Sequence, residues 1–188
     1  TTLQQRLSAK DDTIDVFAVD QPNLAQIAAQ GFLEDLSDLK DEAKEATSAA
    51  QYDINIYDDK MYALSIWNST QMLFYNKDLL AAAGIEAPAI DPAARWTWEQ
   101  VAEAGRAAQA AGAESGLLLE QVEAYYQLQP LIESAGGGSG ISGDEMLDVD
   151  VTDAGWNKAL SWYADTFASG LSPRGVGGFQ TSAVFTDQ

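Results

Sequence analysis

Met61 to Gly84, MYALSIWNSTQMLFYNKDLLAAAG, decides how the chain is read. Tyr62, Leu64 and Ile66 alternate with smaller or polar residues, the two-residue period of a strand with one buried face. The pattern breaks at Trp67-Asn68-Ser69-Thr70, a polar step carrying one large aromatic. Met72 to Tyr75 is then continuously apolar, as a strand buried on both faces requires. Asn76 stands where a helix N-cap belongs, and Gly84 ends that helix because a residue without Cβ turns left-handed at little cost. A tryptophan-bearing polar step between two strands predicts a crossing from one lobe to another.

Upstream, Leu3 to Lys10 reads as the end of a helix and Ile14 to Val19 as a buried strand of a parallel sheet. Asp20 and Gln21 lie at the carboxyl end of that strand, where open α/β sheets face a ligand crevice; Asp20 is equally suited to cap the helix that Pro22 opens. That helix ends at Gly31. Asp38 to Ala50 is an acidic helix with Lys40 and Lys44 as partners for its acids, and Asp53 to Tyr57 and Lys60 to Leu64 are two strands about an Asp58-Asp59 turn.

Downstream, Glu86 to Arg95 is a loop. Thr97 and Gln100 form a capping-box pattern for a helix running to Gly112, with Trp98 as a core anchor. Gly116 to Leu119 is a short apolar strand, and Glu120 to Ala135 a helix, or helix pair, interrupted by Pro130. Trp156, Leu160, Tyr163 and Phe167 make an apolar stripe on a helix from Asp153 to Ser169, and a last helix starts near Phe179.

The chain has 188 residues and a hydrophobic share of 46%, enough for a packed core. Its 29 acidic and 10 basic residues give a formal charge of -19, which argues against a nucleic-acid partner and against an anionic membrane surface. Cysteine and histidine are both absent, so disulfides, thiol nucleophiles, imidazole or thiolate metal ligands and every His-dependent triad are excluded. No cofactor is expected. The run Gly136 to Gly140 is too flexible for regular structure and lacks the lysine of a phosphate loop, and Asp144, Asp148, Asp150 and Asp153 lack the glycine and terminal glutamate of a calcium loop. The sequence contains no export signal, lipid-attachment cysteine or membrane-length apolar run.

Tyr62-Ala63-Leu64, the Trp67 step, Leu73 to Leu80, Ala82-Ala83-Gly84-Ile85 and, past a loop, Trp96-Thr97-Trp98-Glu99-Gln100 occur together in this order. They resemble the extracellular solute-binding proteins of bacterial ABC transporters, above all the carbohydrate group that includes the maltose-binding proteins. The resemblance implies an α/β, periplasmic-binding-protein-like two-lobe fold of class II. Residues 1–67 would be part of the N-terminal lobe, ending at the crossing, and 68–188 the first segment and most of the C-terminal lobe. It also implies an internal fragment, since the family begins before the part matching Thr1 to Ala9 and continues past the element at Phe185 to Gln188. A first lobe without its full sheet is expected to be less stable than Thr70 to Thr186.

A neutral sugar offers ringed hydroxyls and apolar C–H faces, so its site needs planar aromatics together with acids or amides. Asp20, Gln21, Trp67, Asn68, Ser69, Glu120, Glu123, Tyr125, Tyr126 and Phe179 are the candidate ligand contacts. In the resemblance, Glu123 to Ile132 falls on a segment whose acid and tyrosine hold the ligand, and spacing does not separate Tyr125 from Tyr126. The implied function is sugar capture by hinge closure and delivery to ABC permease subunits and their ATPase, by a monomer that catalyses no reaction. Its place is periplasmic or extracellular, with a lipoprotein anchor in a Gram-positive source. The alternatives are a binder of polyamine or peptide and a carbohydrate-active enzyme, which needs only a carboxylate pair.

Overall fold

Caps and left-handed turns written in the sequence set most element ends in the computed structural model, which describes residues 2–143 and 147–186. The chain divides into two compact units, Thr1–Thr70 with Gly140–Asp150, and Gln71–Ser139 with Val151–Gln188.

In the first unit, α1 (Thr2–Ser8) is followed by a loop in which the Arg6 guanidinium bonds the Asp11 carboxylate at 2.7 Å and the Thr13 hydroxyl at 2.7 Å. The bond from Arg6, then those from Thr13, hold the Asp11 carboxyl well below the usual carboxylate range. Helix α2 (Leu24–Ala29) buries Leu24, Ile27 and Ala28. It ends at Gly31, φ 72°, where the Gly31 N–H donates to Ala28 and the Phe32 N–H to Ile27, the double bond of a Schellman turn. The acidic helix expected over Asp38 to Ala50 is two, α3 (Lys40–Ala46) and α4 (Ala49–Asp53). Ser48 and Gln51 form a capping box that starts a new helix where the old one would have continued.

Strands β1 (Ile56–Tyr57) and β2 (Lys60–Met61) pair antiparallel, Ile56 opposite Met61. Asp58 and Asp59 have φ of 47° and 58°, both positive, as a tight two-residue hairpin turn requires. Lys40 Nζ donates to the Asp59 carbonyl at 2.7 Å. Asp59→Gly is expected to stabilise the protein by about 0.5–1 kcal/mol, because glycine relieves the left-handed strain while the lysine bond, made to backbone, survives. Urea unfolding measures it, and a lowered midpoint would refute it. A second hairpin, β3 (Ile141–Ser142) with β4 (Asp148–Val149), pairs Ile141 with Val149.

In the second unit, Asn76 Oδ1 accepts the N–H groups of Asp78 and Leu79 to cap α5 (Lys77–Ala82), and Gly84 follows its end at φ 70°. The Thr97–Gln100 capping box is present at the head of α6 (Trp98–Ala110). Helices α7 (Tyr125–Ser134), α8 (Ala154–Ala168) and α9 (Thr181–Thr186) complete the unit. One core gathers Val101, Ala102, Leu117 and Leu171, and another Leu131, Ile132 and Ala159; Trp162 packs on both. Trp98 is an anchor here, its ring 5.1 Å from that of Trp162 and its Nε1 donating to Ser134 Oγ at 2.7 Å.

The glycine run ends α7: Gly136 has φ 88°, and the N–H groups of Gly136 and Gly137 return to Glu133 and Ile132 in a second Schellman turn. Gly155 of α8 lies directly against Gly136 and Gly137. The fully buried residues of α8 are Gly155, Ala159 and Thr166; of the expected stripe, Trp156 and Tyr163 pack on the Leu131–Ile132–Ala159 core, while Leu160 is 42% exposed.

The expected parallel sheet is corrected: among the described residues the ladders are the two antiparallel hairpins alone. Ile14 to Val19, Met72 to Tyr75 and Gly116 to Leu119 form no strand, and Tyr62 to Ile66 only prolongs the first hairpin through the Tyr62 N–H bond to Asn55. An apolar run becomes a parallel strand only when neighbours supply a ladder of hydrogen bonds on its edges, and no described segment forms a ladder with these. Val16 and Phe74 are correspondingly exposed. Gly116 and Leu117 instead donate to the Leu171 carbonyl, with Gly105 of α6 packed on Gly116 at a distance a Cβ would forbid.

Candidate functional site

In the second unit, the chain leaves the Leu117 core at Leu119 and runs through Glu120 and Gln121 toward α7. Gln121 ties this segment to the loop before α9. Its N–H donates to Val176 at 2.8 Å, its Nε2 to Pro173 at 3.0 Å, and its Oε1 accepts the Gly175 N–H at 2.8 Å. Glu120 adds a second tie, Oε1 accepting the Phe179 N–H at 2.8 Å and Oε2 accepting Gln127 Nε2 at 3.1 Å. Phe179 has φ 65° and a fully exposed ring.

The interruption expected at Pro130 within Glu120 to Ala135 is corrected: α7 begins at Tyr125 and passes straight through the proline. Proline has no N–H, so the carbonyl four residues earlier, that of Tyr126, lacks its helical donor. Gln71 supplies one: its Nε2 lies 3.3 Å from the Tyr126 carbonyl, 3.2 Å from that of Gln127 and 2.9 Å from Gln127 Oε1. Sequence reading missed Gln71 and Gln127. The available signal was a lone glutamine heading an apolar run, together with a proline four residues past a candidate tyrosine.

The structure separates the two tyrosines. Tyr125 donates its hydroxyl to the Ser139 carbonyl and is partly buried; desolvation first, and the Glu133 charge second, push its hydroxyl pKa up. Tyr126 is 47% exposed, and Glu123 is exposed. Glu120 thus joins the Phe179 backbone to Gln127, the chain neighbour of Tyr126, whereas Tyr125 is occupied internally.

The remaining candidates belong to the first unit. Asp20 and Gln21 are exposed, and Asp20 makes no side-chain cap for the turn it precedes, so its capping role is not realised. Trp67, Asn68 and Ser69 are exposed. Among the described residues no group of three acids converges as a metal site: Asp153 caps α8 through the Trp156 N–H at 2.8 Å, and Asp144 lies outside the described residues.

The arrangement is one of amides, a carboxylate and uncovered aromatic rings, chemistry suited to holding a molecule by its polar groups and apolar faces. The profile describing bacterial extracellular solute-binding proteins matches residues 1–186. The chain belongs to that family. Solute-binding proteins of this family serve ABC transporters outside the cytoplasmic membrane. Among the described residues no helix is long and apolar enough to cross a membrane.

Proposed function

We propose that this solute-binding protein captures a neutral sugar, an oligosaccharide in preference to a monosaccharide, between two lobes that close about a hinge and present it to a permease. The observation that carries the reading is the pair of exposed rings, Tyr126 and Phe179, on segments joined through Glu120 and Gln127. Aromatic faces stack on sugar C–H surfaces, while carboxylates and amides pair with hydroxyls. Asp20, Gln21 and Trp67 are proposed to contact the same ligand from residues 1–67, and Asn68, Ser69 and Glu123 with the second-unit residues from 68–188. The ligand would favour the closed state by its greater affinity for it, and the permease would read that state. A monomer anchored as a lipoprotein in a Gram-positive source fits this role.

A cationic solute is the second reading, favoured by the charge of -19. A thermal-shift screen of neutral oligosaccharides against polyamines and peptides separates the two. A sugar at about 100 times its Kd should add about 2.7 kcal/mol of stability and raise the midpoint by several degrees. A shift with spermidine alone, lost at high salt, would replace the sugar reading with the cationic one.

A further inference from the structure

Phe179 combines two properties that folding alone does not reward. Its φ of 65° is rare for a bulky residue, and its side chain is 99% exposed. Strain of this kind persists where the surroundings impose it, and it clusters at ligand clamps. A strained backbone carrying an uncovered ring recovers nothing from burial.

The imposing group is Glu120. One carboxylate oxygen holds the Phe179 N–H at 2.8 Å and the other holds Gln127 Nε2 at 3.1 Å. Beside it, a Cβ on Gly178 would sit 3.5 Å from Val122 and 3.6 Å from Glu120, so the turn is seated against the segment that carries the carboxylate. Gln180 closes the other side by accepting the Gly177 N–H at 2.8 Å.

We infer that Glu120 is a positioning residue, whose carboxylate fixes Phe179 in its left-handed conformation so that the ring stands ready for the apolar face of a ligand. This deepens the sugar reading and rests on it for the ligand's class. Glu120 then acts on the ligand through Phe179, with both of its oxygens already engaged by protein.

The test uses the full chain, with Phe179→Gly, Phe179→Trp and Glu120→Ala, and four calorimetric probes: maltotriose, cellotriose, spermidine and trialanine. Phe179→Gly is expected to raise the melting midpoint by about 2–4 °C, because glycine accepts the turn without strain, and to weaken the bound probe at least about tenfold. Phe179→Trp should retain binding. Glu120→Ala should weaken the same probe about tenfold and deprotect the Phe179 amide in hydrogen exchange. A Phe179 amide equally protected in Glu120→Ala, or a Phe179→Gly protein that binds as well as the parent, would overturn the inference. Maltotriose or cellotriose bound equally by parent and variants keeps the sugar reading and removes the clamp. Spermidine or trialanine bound in their place, with the same losses, keeps the clamp and removes the sugar. No binding of any probe by the parent would overturn both.

Discussion

Gly155→Ala is expected to destabilise the protein by about 1–3 kcal/mol, although alanine is the better helix former by about 1 kcal/mol. The inversion of sign follows from what the new methyl would meet. Its nearest neighbours are the Gly137 amide nitrogen, the Gly136 carbonyl carbon and the Gly137 Cα, all backbone atoms. A flexible side chain could rotate away; these atoms are fixed by the N–H bonds that return from Gly136 and Gly137 to Glu133 and Ile132. Accommodation would require α8 to move off α7 and uncover Ile132 and Ala159, both 1% exposed. Urea unfolding reads the change directly. Ser161→Ala, on the exposed side of the same helix, is the control and should be neutral or slightly stabilising. A Gly155→Ala protein as stable as the parent would mean that the approach of α8 to the turn is looser than described.

Met61→Ala is expected to cost about 2–5 kcal/mol, the range for emptying a fully buried site. Met61 is 0% exposed, and the other buried apolar residues among the described residues of its unit are Leu24, Ile27, Ala28 and Ala43. Two of those four are alanines, so little side-chain volume is available to fill the hole. Met61 also occupies a backbone crossroads: its carbonyl accepts the Leu36 N–H at 2.7 Å and its N–H donates to Ser37 Oγ at 3.2 Å. The loss should therefore appear as faster hydrogen exchange at Leu36 and at Tyr62, whose N–H closes the hairpin onto Asn55. Unchanged protection at both amides would assign the stability of this unit elsewhere.

Local chemistry was legible in the sequence wherever one or two residues settle it. Asn76, Thr97 with Gln100, Gly31, Gly84 and the Asp58-Asp59 turn each state a cap or a left-handed turn that the structure contains. The Ser48–Gln51 box was equally legible, in a stretch between Glu45 and Asp53 that carries no acid. What pattern alone does not supply is a partner. Ile14 to Val19, apolar but for Asp15, and Met72 to Tyr75 state a preference for strand, and a preference without a neighbour makes no ladder. The same limit applies to the site. Aromatic and amide residues identified the segments, but Gln71 and Gln127 are joined by bonds across 56 positions, which no local spacing announces. Of the α8 stripe, Trp156 and Tyr163 reach the core as their spacing states, while the exposure of Leu160 depends on which neighbours are present.

Pro130 and Gln71 stand 59 positions apart in the chain (130 − 71), yet each explains the other. The proline removes a donor from the Tyr126 carbonyl, and the glutamine returns one. A lineage that replaces Pro130 with a residue bearing an N–H restores the helical bond and releases position 71 to drift, whereas a lineage that keeps the proline keeps pressure on the amide. The two positions should therefore covary, and the presence of glutamine at one should forecast proline at the other.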